Sequence, residues 1–228
     1  MCKKFFYYLS NLLQVENKPQ EIPLSELAPH LQTGDILLMH GGEMTSFLIS
    51  VGERSQWTHA TMVVRSRDIG DDSDELLLWE SNPWDKMEDV ELHKKKTGPQ
   101  LVDLKERLYQ NKKMGTDNRF MVRHLYVENR KEMYPLLRKT IDTVHSTIFP
   151  PRLKMLAQVW EGRILGEEAK FDNFGCSELL AYTYMDMGLL TRKFVANQYE
   201  PRDFCQYGNV RLLKRAFFGP HIRIDVEK

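Results

Sequence analysis

Cysteine is scarce in this chain and shows no pairing pattern. Cys2, Cys176 and Cys205 are the only three among 228 residues, and no C-x-x-C occurs. An odd, widely spaced set argues against a zinc ribbon and against a dense disulfide framework. It suits a reducing compartment, or an exported protein that needs no bridges; of the two, a cytoplasmic location is favoured. No apolar run approaches ~18–20 residues, so no transmembrane helix is expected. Net charge is also missing: Lys+Arg and Asp+Glu stand at 32 each. A general attraction to nucleic acid is therefore not expected. Neither internal repeats nor low-complexity segments are present, which leaves solenoids and disordered tails aside.

What remains is the composition of a globular protein, 42% hydrophobic and 28% charged, with length enough for one sizeable domain. The N-terminus "MCKKFFYYLSNLLQV" has the lysines and aromatics of a signal segment but no small-residue cleavage site after them. It reads as an amphipathic leader helix. Residues 1–30 are assigned to this leader and 31–228 to a single α+β domain. The proline-punctuated stretch 17–29 is expected to be a linker or a short turn of helix.

Several elements are legible. "TGDILLMH" (33–40) reads as a turn and a short strand, and "MTSFLISVGE" (44–53) as a helix closed at Gly52. "WTHATMVV" (57–64) and "ELLLWE" (75–80) read as buried strands, joined through a polar loop into a hairpin. Residues 101–110 are predicted helical, 119–127 a strand, and 130–147 a helix with Pro135 near its first turn. A short helix is expected over 151–164, another from about Gly175 to Met187 with Gly188 just beyond its end, and a last strand in "HIRIDV".

Cys176 falls in the first turn of that penultimate element, "GCSELLAYTYMDM". Backbone N–H groups there lack intrahelical partners and carry partial positive charge. They favour a thiolate and can bind the oxyanion of a tetrahedral intermediate. Asp172 and Asn173 are candidate caps, Glu178 complements the dipole, and Leu179, Leu180, Thr183 and Met187 form the face that anchors the helix. Free cysteine usually only packs, however. A catalytic reading needs a base.

Of seven histidines, His93 and His145 read as exposed and His124 as a possible core residue. His59 interrupts an apolar strand. Alternation places it with Thr61 and Val63 on one face, and Thr58, Ala60, Met62 and Val64 on the other. If the hairpin turns between Ile69 and Gly70, His59 lies directly opposite Glu80, another polar residue at the end of an apolar run. The carboxylate can then fix the imidazole tautomer. A plain cross-strand polar pair fits the same pattern. Together Cys176, His59 and Glu80 outline cysteine nucleophilic catalysis.

"TGDILL" (33–38), "WTHATMVV", "LLLWES" (76–81), "FGCSELL" (174–180) and "YEPRDF" (199–204) occur in that order. Over roughly residues 31–206 this resembles the permuted papain-like amidases, circularly permuted relatives of the NlpC-type cell-wall endopeptidases. The resemblance implies an antiparallel sheet bearing the histidine, packed against a helix bearing the nucleophile. It implies Cys176 as nucleophile, His59 as general base and Glu80 as third residue, with no cofactor and no metal. Asp35 matches the aspartate of the opening motif and is expected to line or brace a substrate site, or else to cap the turn after Gly34. The expected substrate is a small amide or peptide, cleaved through a thioester. A lipid-directed acyltransferase or phospholipase and a non-catalytic binding module are the alternatives. The chain has Gly-Cys-Ser-Glu where the unpermuted endopeptidases carry Asp-Cys-Ser-Gly, and neither a cell-wall-binding repeat nor an export signal is legible. Both features speak against peptidoglycan. In the long segment over 81–170, Trp84, Tyr109 and Trp160 either shape a pocket or, as most such aromatics do, pack in the core.

Overall fold

Gly34 turns the chain into the first long strand with φ at +92°, a region that side-chain-bearing residues rarely adopt. A Cβ there would fall 2.5 Å from Met133 and 2.8 Å from Leu125, so the close packing also requires glycine. The computed structural model describes residues 21–40, 57–114, 118–148 and 175–226. The expected helices at 44–53 and 151–164, together with Cys2, Trp160, Asp172 and Asn173, lie outside the described residues.

In chain order the main elements are β1 (Glu21–Pro23), α1 (Leu24–Leu27), β2 (Ile36–His40), β3 (His59–Arg65), β4 (Leu76–Asn82), β5 (Glu88–Asp89) and β6 (Lys94–Lys95). They continue with β7 (Gly98–Asp103), α2 (Leu104–Met114), β8 (Arg119–Arg123), β9 (Leu125–Tyr126), α3 (Tyr134–Val144), α4 (Cys176–Asp186), β10 (Phe217–Phe218) and β11 (Ile222–Asp225). Seven strands form one sheet in the order β1-β11-β8-β2-β3-β4-β7. Only the β1–β11 pair is parallel. The fold is mixed α+β, a large and mostly antiparallel sheet with a few helices.

The sheet is covered on both faces. Ile36, Leu38, Ala60, Met62, Trp79 and Leu101 pack with α3 and α4. Leu37, Met39, Val63, Leu78 and Val102 pack with α1 and α2. Double coverage explains why β3 is buried at every position, the polar His59, Thr61 and Arg65 included.

Four expectations need correction. Residues 21–30 belong with the domain assigned to 31–228: β1 pairs with β11, Leu24 and Leu27 are buried in the α2-side core, and the short turn of helix expected within 17–29 is α1. Residues 101–103 belong to β7, because Leu101 and Val102 pair with Trp79 and Leu78; the helix starts at Leu104. α4 has no solvent face over Cys176–Met185, since it sits between the sheet and surrounding segments rather than on the surface. Leu179, Leu180, Thr183 and Met187 are buried as expected, but so are their neighbours. Finally, His145 is buried rather than exposed.

Other expectations hold. Pro135 stands in the first turn of α3, where its missing N–H costs nothing. α4 ends where anticipated, with Met187 as its C-cap and Gly188 at φ +69°.

Candidate functional site

The β3–β4 hairpin sets the positions of His59, Glu80 and Asn82 in the candidate site. A 3-10 turn, Ser66–Ile69, precedes Gly70 in the left-handed region, and Ser66 N donates to Glu75 O at 3.0 Å. The strands pair Met62 with Trp79 and Val63 with Leu78. That register centres the turn between Gly70 and Asp71, one position later than the sequence suggested. Extended to the strand end, it sets Asn82 rather than Glu80 opposite His59.

His59 and Glu80 nevertheless meet. They are diagonal neighbours on one face, a separation that long side chains span. Nε2 of His59 lies 2.6 Å from Oε2 of Glu80, and both residues are 1% exposed. The other carboxylate oxygen, Oε1, accepts from Arg107 Nε at 2.8 Å, Asn82 Nδ2 at 3.2 Å and Gln100 Nε2 at 3.2 Å. Burial pushes the Glu80 carboxyl up, but Arg107 and His59 outweigh it and hold the group well below the usual carboxylate range.

Cys176 comes from the opposite layer. His59 is the first residue of β3, at the end of the strand, where a side chain from the N-terminus of α4 can reach it. Cys176 is a free thiol, 6% exposed. Burial lowers the proton affinity of His59, yet Glu80 and Cys176 outweigh burial and raise the imidazole to about 9. With Nε2 engaged by Glu80, the ring atom left for the thiol is Nδ1, which is buried and without a hydrogen-bond partner. Thiol and ring are neighbours that stop short of a formed hydrogen bond.

Gly175 is the N-cap of α4, in extended backbone, and its N–H donates to Glu178 Oε2 at 3.1 Å. Glu178 thereby reaches back over the helix start. Ser177 Oγ donates to Tyr199 O at 2.7 Å, which anchors the "YEPRDF" segment beside the first turn. The first-turn N–H groups point out of the helix end that bears the thiol.

Asp35 is not gathered into this cluster. It precedes β2, whose far end, at Met39, is the one that pairs with His59. Its Oδ2 lies 2.7 Å from His124 Nδ1 and accepts from Gln32 N, and its Oδ1 accepts from Leu125 N. The structure gives it the bracing of the turn and of the β8–β9 junction. Tyr109 packs on the α2-side core, and Trp84 is half-buried just past β4.

Three groups escaped sequence reasoning. Arg107 shares the buried face of α2 with Leu104, Leu108 and Asn111, a helical spacing that could have singled it out. Gln100 and Asn82 have no such signal, since they reach Glu80 only through strand register. A second buried histidine pair also exists: His145 Nε2 lies 2.5 Å from Asp89 Oδ2, with Nδ1 3.4 Å from Glu91, and the ring packs edge-on to Trp79. His145 continues the α3 face of Leu137, Ile141 and Val144, so periodicity contradicted the exposed reading.

No protein-family model and no curated protein matches the chain. Among solved structures, it is similar to the metalloprotein YiiX from Escherichia coli at 17% identity and a TM-score of 0.43, over 69% of this chain and 66% of that one. The matched part thus spans just under two thirds of YiiX, and the likeness is too slight to define a common fold. Among the described residues no group of three or more His, Cys, Asp and Glu side chains is placed to hold a metal ion. No helix among them is long and apolar enough to cross a membrane.

Proposed function

We propose that the protein is a cysteine hydrolase that cleaves an amide bond through a thioester, with Cys176 as nucleophile, His59 as general base and acid, and Glu80 as the group that orients the ring. One observation carries this reading. A buried imidazole is gripped on Nε2 by an ionised carboxylate and raised to about 9 with help from a thiol at a helix N-terminus. A core cysteine that only packs has no need of either neighbour. The arrangement, a nucleophile helix against an antiparallel sheet with the histidine and carboxylate on adjacent strands earlier in the chain, also supports a circularly permuted papain-like fold.

The chemistry follows from the geometry. His59 holds the thiol proton as imidazolium, leaving the sulfur as thiolate. Sulfur attacks the carbonyl carbon, and the oxyanion is stabilised by the Cys176 N–H and a second donor. The imidazolium gives its proton to the leaving nitrogen as the C–N bond breaks. Water then attacks the thioester, giving its proton to His59, and the C–S bond breaks to return the thiolate. Glu80 keeps Nε2 engaged throughout and does not itself take the proton.

The test combines a substrate panel with a thiol probe. Amino-acid anilides and short- and long-chain acyl esters are incubated with the protein, and the intact mass is read after acid quenching. An acyl adduct on Cys176 is expected, with none in Cys176→Ala; preference for long acyl esters would redirect the substrate from amides to lipids. Iodoacetamide should alkylate Cys176 at pH 6 faster than an ordinary exposed thiol. A rate no faster than such a thiol would overturn the proposal.

A further inference from the structure

The carboxylate behind His59 is itself held from behind. Glu80 faces His59 on β3, Asn82 on its own strand, Gln100 on β7 and Arg107 on α2, and Cys176 lies beyond the imidazole on α4. Of these, Arg107 is the one fixed cation. It is 6% exposed, and its Nε meets Oε1, the oxygen that His59 does not use. We propose that Arg107 is a positioning residue for the Cys176–His59 pair, acting through Glu80; the proposal rests on the catalytic reading above.

Two physical effects follow from that placement. The first is geometric. With Oε1 fixed by Arg107, Asn82 and Gln100, the carboxylate cannot rotate, so Oε2 stays aimed at Nε2. A single strand-to-strand hydrogen bond would leave this rotation free. The second is electrostatic. From the His59 imidazolium through the Glu80 carboxylate to the Arg107 guanidinium, charges alternate across buried contacts of 2.6 and 2.8 Å. Without the guanidinium, a buried carboxylate is left facing one imidazolium and two neutral amides. Burial then favours its protonated form, and a protonated Glu80 no longer holds His59 as an imidazolium. Arg107 thus keeps the pair charged into acid solution.

A merely packed arginine would do none of this, so the distinguishing readout is a pH profile. The probe is iodoacetamide, with alkylation of Cys176 followed by mass in the full-length protein between pH 5 and 8. In Arg107→Gln the rate at pH 8 should stay within about twofold of wild type, while at pH 5 it should fall about tenfold or more. Arg107→Lys, which keeps the charge, should restore most of the loss at pH 5. A folded Arg107→Gln protein with the wild-type profile would overturn the proposal. If Arg107→Gln does not fold, Glu80→Gln is compared with Glu80→Gln/Arg107→Met, which removes both buried charges. The two should agree within about twofold at every pH; a further large drop on adding Arg107→Met would show that Arg107 does not act through Glu80 and would equally overturn it. If wild type proves no more reactive than an ordinary thiol, it is the catalytic reading that has failed. The carboxyl titration of Glu80, followed by carbon NMR, then decides on Arg107 separately. Its midpoint should rise into the measurable acid range in Arg107→Gln, and an unmoved midpoint would overturn the proposal.

Discussion

Nε2 of His59 and Oε2 of Glu80 stand 2.6 Å apart on a diagonal of the β3–β4 pair, both shielded from water. A buried contact of this kind is sensitive to which partner is removed. Taking away one charge leaves another uncompensated in a low-dielectric setting, whereas an isosteric amide keeps one acceptor oxygen and with it part of the hydrogen bonds. Glu80→Ala strands both Arg107 and His59 and is expected to cost about 3–5 kcal/mol in urea denaturation. Glu80→Gln should cost less, and should slow Cys176 chemistry less than Cys176→Ala does, because an amide oxygen can still meet the ring. A wild-type rate in Glu80→Gln would remove Glu80 from the site.

The same cluster predicts how stability varies with pH. His59 is raised from its ordinary 6.5 to about 9, so its contribution is complete below about 6.5 and is lost as pH rises through about 9. Glu80 is depressed from its ordinary 4.5, so its contribution is complete above about 4.5 and fades as pH falls below that. The urea midpoint should therefore be highest between about pH 5 and 6.5 and decline on both sides. The alkaline decline should be reduced in His59→Phe, if that variant folds. A midpoint flat from pH 6.5 to 9.5 would speak against an ion pair at His59.

His145 offers a control in a second buried pair. Its imidazole sits between Asp89 and Glu91, and these partners raise its proton affinity against the opposing effect of burial. His145→Gln should cost about 1–3 kcal/mol of stability, since Asp89 keeps its backbone donors but loses its charged one. Cys176 alkylation at 25 °C should be unchanged. A large loss of reactivity in a folded His145→Gln protein would mean that the two clusters are coupled.

Asp35 is similarly placed for structure. Asp35→Asn retains the shape of the group but replaces one acceptor oxygen by a donor, against Leu125 N, Gln32 N and His124. A loss of about 1–3 kcal/mol is expected, with the pH profile of Cys176 alkylation intact. Altered reactivity with no loss of stability would instead point to Asp35 as a substrate-binding group.

The separation between what could and could not be read from sequence has a physical cause. His59 and Glu80 stood out because each breaks an apolar run, and a polar group in such a place needs a partner. Cys176 stood out because Gly175 and Gly188 bracket one helix. These are local signals. The register was set instead by the 3-10 turn at Ser66–Ile69, which shifts pairing by two residues while leaving the faces unchanged. That parity is why the His59–Glu80 contact survived a wrong turn centre. Arg107 and His145 were legible in principle from helical spacing, since Arg107 lies beside Leu104 and Leu108 on one helix face and His145 continues that of Leu137, Ile141 and Val144. Gln100 and Asn82 were not, because their roles arise only when β7 pairs with β4 and β4 turns past its end. The parallel β1–β11 pair joins the two ends of the described chain, a contact that no local pattern announces.

Whether thiol and imidazole act as one unit is read most directly from the His59 ring itself, titrated by NMR in the intact protein and in Cys176→Ala. Cys176 adds to the proton affinity of the ring beyond what Glu80 supplies. The expected midpoint is about 9 in the intact protein, falling by about one pH unit or more once the sulfur is gone. The same midpoint in both proteins would contradict the pairing on which the catalytic proposal stands.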